Sequence, residues 1–350
     1  MYKSQVSGFK FQVSSLKSQV SNLKSQISSL KSQISNPNPM TKKTLISFLL
    51  LFTFFNLFAQ EKETYLYAEK DTNKLYMDVY IPQVQNEQQA CLFFAYGGGF
   101  ISGKRDDNQV QKLKKYYTDK GYVVIAIDYR LGMKGKTAGS AIASVKKFKT
   151  AIDMAAEDMI SALDYTLKNL LETKKYTINP KHIILMGSSA GAITVLQTDY
   201  ALCNGYLNSN ILPDSFRLAG VISYSGAIFS VHGRPKYKLH EPAPTLFCHG
   251  MADKLVIYDN THLFNIGLFG SSSIAKQFKK NGYGYHIRRF PRLGHQVAGR
   301  FNDEFPVIDQ FLMETVFAHP HIQIDEIYYN PDIEPKWMNL RVRDLKKYDK

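Results

Sequence analysis

Between residues 62 and 290 the chain alternates short, unbroken apolar runs with stretches that place an apolar residue every three or four positions. "ACLFFAY" (90–96), "GYVVIAIDY" (121–129), "HIILM" (182–186), "LAGVISYSG" (218–226) and "PTLFCHG" (244–250) show little of the polar alternation of a strand with one wet face. Runs of that kind belong to strands buried on both sides. "NQVQKLKKYYTDKG", "AIDMAAEDMISALDYTLKNLL", "AGAITVLQTDYAL", "SSSIAKQFKKNG" and "FNDEFPVIDQFLMETVF" carry helical spacing. The fourth of these reads as a helix with a serine N-cap, stopped by Gly282. With "TYLYA" and "KLYMDVYIP" as an opening hairpin and "YGYHIRRF" as the last strand, the expected architecture is α/β. It is a mostly parallel eight-stranded sheet with helices on both faces. In such sheets ligands bind beyond the carboxyl ends of the strands, so the residues that follow each strand are where chemistry belongs.

Four strand ends carry suggestive residues. "ACLFFAY" is followed by Gly97, Gly98 and Gly99. "HIILM" is followed by Gly187-Ser188-Ser189-Ala190-Gly191, "PTLFCHG" by Met251-Ala252-Asp253, and "YGYHIRRF" by Pro291-Arg292-Leu293-Gly294-His295. A serine at a sharp strand-to-helix turn needs small neighbours, which Gly187 and Gly191 supply, and it stands where a helix amino end favours negative charge. Serine is a weak nucleophile without a base, and His295 is the candidate base. Asp253 is the candidate carboxylate to fix the imidazole tautomer, with Asp259 as its rival. His249 competes with His295 for the base, although its place within a strand end suits orienting the Asp253 loop. Gly98, Gly99 and Ala190 offer backbone N–H groups for an oxyanion.

With these residues in place, the chain resembles the α/β-hydrolase superfamily over nearly all of residues 62–318. The likeness is greatest to its esterase/lipase branch, which includes hormone-sensitive-lipase-like and short carboxylesterase proteins. "YGGGFISGKRDD" is similar to that branch's H-G-G-G-F loop, "VVIAIDYRLG" to its D-Y-R-L turn and "HGMADKLV" to its H-G-x-x-D-x-x-V acid loop; the order Ser…Asp…His is also shared. Tyr96 stands where the branch has a histidine, "GMKGKTAGSAIASVKKFK" replaces a proline-rich continuation, and the branch's N-terminal cap is missing. Between the sixth and seventh strands only residues 227–244 are placed to form a small lid. Asp128 and Arg130 are expected to pair across their turn, and Glu157 and Asp158 to be structural.

The resemblance implies a serine hydrolase that cleaves carboxylic esters through Ser189, His295 and Asp253, with short-acyl or acylated-sugar esters favoured by the small lid. It implies no cofactor and no metal. A peptidase or amidase of the same fold, and a non-catalytic binding protein on that fold, are the alternatives. The expected partner is a small-molecule or glycan ester. A net charge of +14 does not point to nucleic acid, because seven of the lysines lie in the first 59 residues and no basic cluster with interleaved aromatics follows. Oligomeric state is open at this level.

The first 59 residues read apart from the fold. Residues 1–39 hold a seven-residue repeat, "LKSQVSN LKSQISS LKSQISN", with Leu16, Leu23 and Leu30 alternating with Val13, Val20, Ile27 and Ile34. That is a heptad seam, but it is serine-rich and has no acidic partner for its lysines, so it is read as low-complexity sequence outside the mature protein, with a coiled coil as the alternative. Residues 40–59 have a basic start at Lys42 and Lys43, an apolar run from Leu45 to Phe58, and Ala59. This is the layout of a signal peptide cleaved near Ala59, which places the protein outside the cell or in a periplasm; a retained membrane anchor is the lesser alternative. Residues 60–320 are then the catalytic domain, and 321–350, with Trp337, a C-terminal extension of unknown role. Cys91 and Cys248 read as buried core thiols, and three cysteines allow at most one bridge.

Overall fold

A computed structural model describes residues 62–83, 88–135, 141–172 and 176–335, with the side chains of 141–143 excepted. The expectations for residues 1–39 and 40–59 and for Trp337 fall outside these residues. Among the described residues, nine strands form the main sheet: β1 Lys62–Lys70, β2 Asn73–Tyr80, β3 Gln89–Ala95, β4 Val123–Ile127, β5 Ile178–Ser188, β6 Gly220–Tyr224, β8 Thr245–Gly250, β11 Tyr285–Phe290 and β12 Gln323–Ile327. Their spatial order is β1-β2-β4-β3-β5-β6-β8-β11-β12. β2 runs antiparallel to β1 and β4, and every pairing from β4 to β12 is parallel.

The helices are α1 Asn108–Asp119, α2 Ala141–Tyr165, α3 Ala190–Leu202, α4 Ser271–Asn281 and α5 Phe305–Gln310. α1 carries the chain from β3 to β4 on one side, and α2 returns it across β3 to β5. Because such crossovers are right-handed, α1 and α2 lie on opposite faces of the sheet. The apolar runs do what their composition requires: Leu92, Phe93, Ile125, Leu185, Val221 and Phe247 have no solvent contact. α3 is buried along its whole length, packed against α2, β5, β6 and β7 (Ala227–Ser230).

Several elements differ from the expectation. The ninth strand, β12, comes from the segment read as an extension: it pairs in parallel with β11, with Asp325 accepting two hydrogen bonds from Arg289 at 2.6 and 2.7 Å. A second, three-stranded sheet joins β7 to a hairpin of β9 (Asn260–Leu263) and β10 (Ile266–Gly270). The segment offered as a lid therefore begins as β7. It is then fastened to the end of α3, where the N–H groups of Lys238 and Leu239 donate to the carbonyl of Cys203. The cap of α4 is Gly270 rather than a serine, while Gly282 ends that helix in the left-handed region as expected. Asp128 and Arg130 do not pair with each other. Asp128 accepts from Arg105 at 2.5 Å, and Arg130 reaches Asp158, Glu157 and Asp71 at 2.9–3.2 Å. Glu157 and Asp158 thus hold the turn, with Asp158 fully buried. All three cysteines are free and buried.

Candidate active site

The strand order reverses between β3 and β5, and there the two carboxyl ends are in register at Ala95 and Gly187. The chain leaving β3 must therefore lie against the chain leaving β5. A Cβ built on Gly97 would stand 3.3 Å from the Cβ of Ser189. On the other side of the turn, a Cβ on Gly187 would come within 2.2 Å of the Gly191 carbonyl oxygen, and one on Gly191 within 2.0 Å of that of Ala95. Real side chains cannot occupy those distances. Both glycines are needed for the strand and helix to meet so closely, as their place in the sequence predicted.

Ser189 sits between them with φ 53° and ψ −117°, a left-handed backbone that costs a non-glycine residue roughly 1–3 kcal/mol. Its N–H donates to the Tyr224 carbonyl at 2.9 Å, which ties the turn to β6. This backbone sets Ser189 at the amino end of α3. Ser188, the other serine of the motif, donates to the Ala298 carbonyl at 2.7 Å and is buried, so its hydroxyl is already committed.

Ser189 Oγ lies 2.8 Å from His295 Nε2, and His295 Nδ1 lies 2.8 Å from Asp253 Oδ2. Asp253 follows β8, and His295 opens a 3-10 helix (His295–Asp303) after β11. The facing carboxylate fixes the tautomer: Nδ1 carries the proton and Nε2 accepts from the serine hydroxyl. Asp253 Oδ1 accepts from the N–H groups of Leu255 and Val256 at 2.9 and 3.0 Å. Burial works to raise the Asp253 carboxyl, but hydrogen bonds from His249 and His295 outweigh it and hold the group far below the usual carboxylate range. It is a fixed anion under the imidazole.

The rivals are elsewhere. Asp259 pairs with Lys276 at 3.3 Å on the surface. His249 faces two acceptors with Nε2, the Val256 carbonyl at 3.0 Å and Asp253 Oδ2 at 3.4 Å. That nitrogen therefore carries the proton, and Nδ1 accepts from the Ser271 hydroxyl at 2.8 Å. His249 orients the acid loop, as its place at a strand end suggested. Ser271 was missed, and no local signal marks it, because a serine opening a helix reads as a cap.

Of the oxyanion candidates, Gly98 and Gly99 lie in the loop that leaves β3. Gly98 and Gly99 have φ 130° and 64°, in the region that favours glycine. The loop folds on itself, with the Ile101 and Ser102 N–H groups donating to the Gly98 carbonyl at 3.0 and 3.1 Å. Ala190 is the first residue of α3, so its N–H has no acceptor within the helix. Tyr96, in place of histidine, stacks on Tyr129 at 4.4 Å, and the Tyr129 hydroxyl donates to the Tyr96 carbonyl at 2.7 Å. An aromatic pair braces the loop here. Among the described residues, no three His, Cys, Asp or Glu side chains converge as metal ligands would.

Comparison with known proteins places the chain among esterase-like sequences and folds. Residues 77–228 match a family model described as BD-FAE. The chain is 25% identical over 169 residues, 48% of its length and 25% of the relative's, to a juvenile hormone esterase of Tribolium castaneum. It is 29% identical over 122 residues, 35% of its length and 18% of the relative's, to an acetylcholinesterase of Danio rerio. It thus spans a quarter or less of these curated relatives. Among solved structures, a thermophilic esterase of Thermogutta terrifontis, Est2, superposes with a TM-score of 0.53 at 18% identity, covering 74% of this chain and 94% of that one. The same esterase phosphoramylated by tabun gives 0.51 at 20% identity, covering 73% and 95%.

Proposed function

We propose that this chain, an α/β hydrolase, is a serine hydrolase that cleaves carboxylic esters through an acyl-enzyme on Ser189. The reading rests on one observation, the continuous path of two 2.8 Å contacts from Ser189 through His295 to Asp253. His295 Nε2 takes the hydroxyl proton as Ser189 Oγ attacks the ester carbonyl. The carbonyl oxygen becomes an oxyanion held by the N–H groups of Gly98, Gly99 and Ala190, and the amino end of α3 favours that charge. The C–O bond breaks, and the alcohol leaves with the proton from His295. Water then gives a proton to His295 and attacks the acyl carbonyl, releasing the acid and restoring Ser189. The esterase relatives support this class of reaction.

Short-acyl or acylated-sugar esters are the favoured substrates, because residues 227–244 are taken up by β7 and by the fastening to the far end of α3 instead of enclosing a long acyl group at Ser189. The protein is proposed to be exported, on the apolar segment from Leu45 to Phe58 and the small Ala59 after it. N-terminal sequencing of protein recovered outside the cytoplasm should begin near Gln60; a sequence that begins at Met1 overturns cleavage near Ala59, and protein confined to the cytoplasm overturns export.

Hydrolysis of p-nitrophenyl esters of increasing acyl length, set beside acetylated and feruloylated glycans, tests the activity and ranks substrates. Ser189→Ala should lose about 10⁴-fold or more in kcat and all labelling by a fluorophosphonate probe. A variant that hydrolyses and labels like the parent overturns the assignment, and turnover of amide in preference to ester analogues makes the protein an amidase.

A further inference from the structure

A pocket of about 370 Å3 opens between α2, α3 and the segment that leaves β7, and none of the residues of the Ser189 site line it. Its volume falls in the range of small-molecule sites, about 300–1,000 Å3. The inner wall is aromatic: Tyr200, Tyr206 and Phe229 line it, with Tyr200 edge-on to Tyr206 at 5.8 Å. Gln197 fixes that wall. Its amide donates to the Tyr206 hydroxyl at 2.6 Å and the Phe229 carbonyl at 3.2 Å, and its oxygen accepts from the Phe229 N–H at 3.0 Å.

The rim is cationic. Lys149, His232, Arg234, Lys236 and Lys238 surround the opening, and Asp153 is its single carboxylate. Asp153 is already bound to Lys149, one turn away on α2. Arg234, Lys236 and Lys238 face no carboxylate among the described residues, whereas Arg105, Arg130, Arg288 and Arg289 each do. Three cations within five residues repel one another. Here they are crowded around a concavity with no counter-charge of their own, where an anion would relieve the repulsion.

The walls say which anion. An inorganic ion would leave the aromatic surfaces uncovered, and a neutral apolar molecule would leave the cations unanswered. A sugar ring bearing a carboxylate would meet both demands: its C–H face suits the aromatic wall, its hydroxyls suit Asn204, whose Nδ2 makes one hydrogen bond to the Tyr200 carbonyl at 2.8 Å, and its charge suits the rim. We propose that this pocket binds an acidic oligosaccharide, a uronate-bearing chain, at a second site separate from the ester-cleaving one. Such a site would hold the enzyme on an acidic glycan while Ser189 acts elsewhere on it.

Calorimetric titration of the full protein with unesterified trigalacturonate, and with neutral maltotriose as control, tests the site. The triple variant R234A/K236A/K238A removes only exposed side chains, and p-nitrophenyl acetate turnover within twofold of the parent would show it folded. Trigalacturonate should bind at least about tenfold more tightly than maltotriose, and the triple variant should lose about tenfold of that affinity. If the triple variant does not fold, Lys236→Glu with the same pair of sugars replaces it, with the same loss expected. Absence of binding at 10 mM, equal affinity for the neutral sugar, an unweakened variant, or displacement by equimolar sulfate would each overturn the proposal. Because trigalacturonate carries no ester, its binding does not depend on the hydrolytic reading, and failure of either claim leaves the other standing.

Discussion

One oxygen of Asp253 faces two imidazoles: His295 Nδ1 stands 2.8 Å from Oδ2 and His249 Nε2 3.4 Å from it. The second imidazole is itself held from behind by Ser271, so the order of contacts runs from helix α4 through His249 and Asp253 to His295. His249 touches no reacting atom and acts through the carboxylate. His249→Gln is expected to lower kcat by about tenfold with KM within twofold, the signature of lost transition-state support rather than lost binding. Steady-state kinetics on p-nitrophenyl acetate decide it; an unchanged kcat would reduce the contact to packing.

The close approach of β3, β5 and α3 makes a second prediction. Gly191→Ala sets a methyl group 2.0 Å from the Ala95 carbonyl oxygen, where backbone must move. Overpacking of this kind costs about 1–3 kcal/mol, so the melting temperature should fall by several degrees. Gly299→Ala is the matched control, since a Cβ there meets nothing within 4 Å and should leave the melting temperature within a degree or so. Equal melting temperatures for both variants would contradict the geometry.

Asp199 gives a pH dependence. It is buried on α3, and burial pushes its carboxyl from 3.8 up to about 7, against weaker pull from the Ala243 N–H and the Cys203 thiol. The folded chain then holds a proton that the unfolded chain has released. Stability from this group is full below about pH 4, is lost as pH rises towards 7, and is level above. Asp199→Asn removes that slope. Relative to the parent, its melting temperature should stand a few degrees higher at pH 8 than at pH 4.5, measured by calorimetry at both values. A constant offset would show that Asp199 is ionised in the fold at both.

The last strand predicts the effect of truncation. β12 covers the edge of β11, His286 faces Glu326 at 3.1 Å, Arg288 lies over the Tyr328 ring at 3.9 Å, and Gln296 donates to the Glu334 carbonyl at 2.6 Å. Gln296 adjoins His295. A chain ending at Ile322 bares a strand edge and frees the loop that carries the base. It should melt several degrees lower, aggregate in proportion to its concentration, and lose ester turnover as well. Light scattering and kinetics on the same preparation would show this, and a truncated chain with full activity would dissociate the tail from the loop.

The fold was legible wherever burial is two-sided. β3 and β8 announce themselves because a strand with no wet face has no place for alternation, and the serine turn because two close backbone approaches admit only glycine. What escaped was half-exposed. "QIDEI" half-buries Ile324 and Glu326 and leaves Ile327 exposed, so apolarity and burial do not coincide and no hydrophobic period marks the strand. The β9–β10 hairpin turns through Phe264, at φ 52°, and Asn265, without the glycine that usually marks a two-residue turn, and most of β9 is exposed. Ser271 and Asp128 were misread for a common reason. Sequence suggests partners close along the chain, whereas Ser271 bonds His249 and Asp128 bonds Arg105, each more than twenty positions away. Ser189, His295 and Asp253 could be placed together because strand ends converge by topology, and contacts between side chains on different elements have no such rule.

The three free thiols have a practical corollary. Cys91 lies in β3, Cys248 in β8 and Cys203 at the end of α3, all without access to solvent, and burial pushes each sulfur towards its protonated, unreactive form. A maleimide can therefore modify only molecules that have opened. The two strand positions report rupture of the central sheet, and Cys203 reports release of the segment fastened to its carbonyl. The chain carries its own chemical clock for opening, with a global hand and a local one.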